Sequence, residues 1–149
     1  MSEHHIFDAE ILRRKFLKWG QTGENTHLLT GKVTGKDSAV LDVFPELHPD
    51  EEAIVIFQHE DRRTLITNLR IFVDVQDTRE MFFLDEVFCE IDIRLFGSPR
   101  KELWDRFVLR SLQGESRVLV LEPGPPFWGI FNLLKTVQSL KGRPLTDLQ

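Results

Sequence analysis

Leu69, Ile71, Val73 and Val75 alternate with Arg70, Asp74 and Gln76, a period of two that predicts a half-buried strand. Phe72 alone breaks the alternation. A shorter apolar pair, Leu65-Ile66, precedes it, and Thr67-Asn68 between the two suits a tight turn because Asn tolerates left-handed backbone angles. An antiparallel hairpin follows, and the rest of the chain can be arranged around it.

The same pattern places further strands at 53–58, at Glu80 to Leu84, at Val87 to Phe96, at Glu102 to Ser111 and at Arg117 to Glu122, with turns at Gln76-Asp77-Thr78, Gly97 to Arg100 and Gln113-Gly114-Glu115. Val87 to Phe96 alternates most cleanly, with Cys89, Ile91, Ile93 and Leu95 inward and Glu90, Asp92 and Arg94 outward. Ala39 to Phe44 suits a short strand stopped by Pro45, after a loop or irregular hairpin over 20–38.

Two segments switch to helical spacing. Over 7–19, Asp8 suits an N-cap, Phe7 and Leu12 a hydrophobic staple, and Leu12, Phe16 and Trp19 an apolar stripe that Gly20 ends. After Pro123 to Pro126, residues Phe127, Ile130, Phe131, Leu134 and Val137 form a second, greasier stripe, closed by Lys141, Gly142 and Pro144. A meander of antiparallel strands covered by a C-terminal helix is an α+β plan. It divides as a helix at 7–19, an irregular extension at 20–46, a sheet and capping helix at 47–141 and a tail at 142–149, all in one domain.

Composition narrows the function classes. The 149 residues are 41% hydrophobic and 29% charged, with twelve Phe and no Tyr, which are globular values. A formal charge of −5 argues against a nucleic-acid binder, since phosphate contacts need a basic face. The single Cys89 excludes an intrachain disulfide and falls on the core set of its strand, as an inert buried thiol does. No apolar run approaches ~20 residues, and Met1-Ser-Glu-His-His has no signal-peptide pattern, so the expectation is a soluble cytoplasmic protein.

Candidate chemistry is sparse. Arg13, Arg14, Lys15 and Lys18 make the first helix the most basic segment, either a solvated face with cations near its C-terminus or a docking face for an anionic surface, to which Lys32 and Lys36 could add. Thr30-Gly31-Lys32 and Thr34-Gly35-Lys36 miss phosphate-loop spacing, and Asp37 stands where Ser or Thr would be needed. His48, Asp50, Glu51, His59, Glu60 and Asp61 are metal-ligand types, but the 53–58 strand would hold the two groups apart, so neither a metal nor a cofactor is expected. Glu90 and Asp92 lack a neighbouring His for acid–base work. Trp104, Arg106 and Arg110, on one face with Val108, suit either a stacking platform or a packed Trp flanked by ion-paired arginines. His59 with Glu60 or Asp61 is the one hydrolytic set to weigh, and no reaction suggests itself for it.

Leu47-x-x-Asp50-Glu51-Glu52 running into Ala53 to Phe57, then Thr64 to Phe72 with Thr67-Asn68-Leu69-Arg70, resembles the opening of bacterial pleckstrin-homology-like domains. Met81-Phe-Phe-Leu-Asp85-Glu-Val87 is similar to a later strand of that family, and Phe127 to Leu140 stands where its capping helix stands. The resemblance spans about 47–140 and implies a partly open antiparallel barrel of about seven strands, preceded here by an extra helix. It implies a non-catalytic module for protein contacts or self-association rather than an enzyme. Family members that bind phosphoinositides use basic residues between the first two strands, whereas Gln58-His-Glu-Asp-Arg-Arg63 leads with acids. The alternatives are a peripheral binder of anionic headgroups through the first helix, and a small acidic immunity-type protein that neutralises a basic partner.

Overall fold

A computed structural model describes residues 4–29, 47–76, 78–92, 94, 100 and 103–140. The expected strand at Ala39 to Phe44, the Thr-Gly-Lys pair with Lys32 and Lys36, the Gly97 turn and the tail lie outside them.

Helix α1, Ala9–Trp19, begins where the sequence places it: the Asp8 carboxylate accepts from Glu10 N and Ile11 N, which satisfies two of the helix's orphan donors. Strands β1 (Thr26–Leu28), β2 (Ala53–His59), β3 (Arg62–Thr67), β4 (Arg70–Val75) and β5 (Thr78–Phe83) form an antiparallel meander in chain order. A 3-10 turn at Leu84–Glu86 leads into a second sheet, β6 (Val87–Glu90), β7 (Arg106–Ser111) and β8 (Ser116–Val120). Helix α2, Pro125–Leu140, closes the chain's described part.

The architecture is therefore α+β, with a helix at each end and antiparallel strands between. The strands fall into sheets of five and three rather than one curled sheet of about seven. The break is local. Leu84 N turns back to Leu69 O, ending the β4–β5 ladder, and Leu112 N reaches Glu86 O to begin the next sheet.

Tight turns account for the meander. Glu60 and Gln76 take positive φ of 55° and 56° between β2 and β3 and after β4, and Gly114, at 94°, serves the β7–β8 connection. One expected strand is much shorter: β6 ends at Glu90. Asp92 accepts from the backbone N of Arg94 at 3.0 Å, a local bond that competes with a continued ladder. Likewise β7 begins only at Arg106. Leu103 is exposed, while Trp104 is buried.

The main core draws on both helices and both sheets, with Leu12, Phe16, Ile54, Ile66, Ile71, Phe107, Phe127, Ile130 and Leu133 inside it. Phe72 belongs elsewhere. It pairs across β3–β4 with Leu65, which pairs in turn with Ile56, and this row forms a second cluster with Leu29 and Ala53 on the other face of the large sheet. The broken alternation marks a sheet that is apolar on both sides. Cys89 is buried as expected, its backbone N and its thiol both donating to Gln138 Oε1 on α2.

Candidate functional site

The residues of the Asp-Glu-Glu and Thr-Asn-x-Arg motifs meet, and they form a frame. The Glu51 side chain has no exposed surface; Arg70 donates to its two oxygens at 3.0 and 2.6 Å, and the Thr67 hydroxyl donates at 2.5 Å. Burial alone would raise the Glu51 pKa, but the bonds from Arg70, Thr67 and the His48 N–H outweigh it and hold the carboxyl below its ordinary value. Asn68 Oδ1 accepts from Glu52 N, and its Nδ2 donates to Phe7 O, so the hairpin grips the segment leading into α1.

Arg13 belongs to this frame, not to an exposed basic face. Only 5% exposed, it donates to Leu29 O at 2.8 Å, Ala53 O at 2.9 Å and Glu10 Oε1 at 2.6 Å. That fork ties α1 to β2 and to the end of β1, as a planar guanidinium can. Among the described residues no buried side-chain nitrogen or oxygen lacks a partner.

Trp104, Arg106 and Arg110 do not form an open platform. Trp104 is 8% exposed and lies 6.0 Å from Trp128 at a tilt of 31°. Arg106 pairs with Asp105 at 2.8 Å and Arg110 with Glu90 at 2.5 Å across β6–β7. Glu90 and Asp92 are each held by an arginine, and the bond from Arg94 keeps Asp92 below the usual carboxylate range. His59 and Glu60, 3.7 Å apart, are both solvated. His48 stands at the other end of β2, its Nδ1 accepting from Asp50 N.

An exposed, shaped surface lies where the end of α1 meets the start of α2. Leu17 and Trp19 are 53% and 56% exposed. With Lys18, Gly20, Pro125 and Trp128 they line an open groove of about 520 Å³. Trp19 was expected in the apolar stripe of α1, but of that stripe Leu12 and Phe16 are buried and Trp19 is not. At their crossing the two helices approach too closely for a third large side chain. A Cβ on Gly20 would stand 2.4 Å from Gly129 Cα and Pro125 O, and one on Gly129 would meet the Phe16 ring at 2.6 Å. The chain therefore turns at Gly20 and leaves Trp19 outside.

One sequence candidate, Lys18, lines this groove, and Arg14 lies one helical turn before it in α1. Lys18 Nζ lies 5.4 Å from the Trp19 ring centroid, and exposed Arg14 bonds weakly to Glu10 O at 3.4 Å. Two residues before Gly124 of the lining, Glu122 accepts from Glu24 N, Asn25 N and the Thr26 hydroxyl. The groove is hidden in the sequence because Trp19 fits a helical stripe by spacing; its signal is Gly20 and Gly129, which permit the crossing.

No protein-family model matches the chain, and comparison with curated proteins and with solved structures finds no match either. Among the described residues no helix is long and apolar enough to cross a membrane.

Proposed function

We propose that this protein is a non-catalytic interaction module, of the bacterial pleckstrin-homology-like type, that takes a protein segment in the groove between α1 and α2. The observation that carries the reading is the pairing of exposed Leu17 and Trp19 with half-buried Trp128 around an open trough. Indole rings bring large contact area at low entropic cost and recur as anchors of protein interfaces. Lys18 in the lining, with Arg14 one turn before it, favours a partner that sets a carboxylate beside an apolar side chain. The antiparallel sheets and the closing helix support the relation to that domain class, as does the bonding of its Asp-Glu-Glu and Thr-Asn-x-Arg residues into one unit.

An anionic membrane is the weaker reading for the same helix. Polybasic membrane segments use clusters of 4–8 cations, each worth about 1 kcal/mol. Here Arg13 is withdrawn into the frame and Lys15 is half-buried, leaving Arg14 and Lys18 as the exposed cations of α1, with Lys32 and Lys36 outside the described residues.

Selection of a peptide library displayed on phage, with counter-selection against a Trp19→Ser variant, tests the proposal. The expected winners share an apolar anchor next to Asp or Glu, and they lose binding to Trp19→Ser and to Lys18→Glu. Winners that bind Trp19→Ser equally well contradict it. So does flotation with phosphatidylserine vesicles at low salt when no peptide is enriched, which would favour the membrane instead.

A further inference from the structure

The corner between the two sheets carries a ligand set that neither the frame nor the groove uses. His4, Asp85 and Glu86 bring one imidazole nitrogen and two carboxylate oxygens within 4.8 Å of one another. His4 Nδ1 stands 3.0 Å from Asp85 Oδ1 and 3.8 Å from Glu86 Oε2. Ligands ~2.1 Å from a shared ion lie ~3.0 Å apart at a right angle and ~3.4 Å apart at the tetrahedral angle. The two distances from His4 span those values, and the two carboxylate oxygens lie within 4.8 Å of each other.

The set is also held from behind. The His4 ring stacks flat on Phe83, centroids 3.6 Å apart and planes 1° from parallel. Asp85 spends its other oxygen on the backbone N of His5 at 2.7 Å, which aims Oδ1 at the imidazole. The backbone on either side of Asp85 is fixed as well, Leu84 N to Leu69 O and Glu86 O to Leu112 N. Ligands oriented by such outer contacts are what a tight site requires. All three side chains are half-buried, sheltered yet reachable.

We propose that His4, Asp85 and Glu86 form a divalent transition-metal site of the zinc class, with water completing the shell. One imidazole with two carboxylates suits Zn²⁺, whereas Mg²⁺ and Ca²⁺ prefer oxygen alone. The ion replaces the direct His4–Asp85 contact, with both groups turned onto it. Its role is mechanical: it clamps the segment before α1 onto the turn that joins the two sheets, and the gain in binding is a gain in folding stability.

The test uses the full chain without a histidine tag, Zn²⁺ titrated against a chromophoric chelator, and thermal unfolding with and without Zn²⁺. The expected result is one Zn²⁺ per chain and a melting temperature raised on the order of 5 °C at saturation. Affinity should fall at least ~10-fold in His4→Ala and in Asp85→Asn, while His59→Ala binds as wild type does. His4 lies outside the core, so circular dichroism of His4→Ala should show an intact fold. No stoichiometric binding at micromolar Zn²⁺ overturns the site, leaving a His–carboxylate ion pair only. Equal affinity in wild type, His4→Ala and Asp85→Asn overturns it too.

Discussion

The two ends of α1 show opposite treatments of large or charged side chains. At its start, Arg13 and the neighbouring Glu51, Arg70 and Asn68 are polar, and all are drawn inward, each bond answered. At its end, Leu17 and Trp19 are apolar and left facing solvent. Hydrophobicity alone would have sorted them the other way. The difference teaches that partner geometry outranks polarity. Glu51 is stable inside because the Arg70 fork and the Thr67 hydroxyl are already placed around it, whereas Trp19 stays outside because the crossing at Gly20 and Gly129 leaves no room.

Breaking the polar end should cost most. Glu51→Ala leaves Arg70 and Thr67 without their acceptor and should destabilise by about 3 kcal/mol in urea unfolding. The same carboxylate predicts a pH dependence. Its folded pKa is depressed, so its contribution is whole above the ordinary glutamate value near 4.5 and is lost as pH falls through the lower folded value. Wild type should therefore lose stability below that point more steeply than Glu51→Gln does.

Next in size is Gly20→Ala, which sharpens the comparison because Gly20 lines the groove yet serves the frame. Its φ of −152° suits any residue, so the whole cost is the clash with backbone atoms of α2. A loss of about 2–3 kcal/mol is expected by thermal unfolding. Arg13→Lys should follow at about 1–2 kcal/mol: a lysine keeps the charge but cannot reach Leu29 O and Ala53 O together.

The hairpin, both helices and the Asp8 cap were legible because each rests on local chemistry: period-two or helical spacing, a turn residue, a capping carboxylate. The division into two sheets was not, since it depends on Leu84 and Leu112 bonding to residues distant in sequence. Phe72 as an exception was a true signal of a second apolar face, visible as an irregularity though not as its cause. Of the candidate site, Arg14 and Lys18 read correctly as exposed cations, but Arg13 did not: nothing in its spacing reveals the carbonyls of Leu29 and Ala53. Trp104 is buried with Arg106 and Arg110 ion-paired beside it, the second of the two readings its row allowed.

The smallest effect is also the most direct test of the claim that the frame folds this chain while the groove serves a partner. Urea unfolding of Leu17→Ser/Trp19→Ser, followed by circular dichroism, should give a free energy within about 0.5 kcal/mol of wild type, as surface substitutions do. A loss on the scale expected for Glu51→Ala would mean that Leu17 and Trp19 hold the fold together, and the groove would then be no docking site.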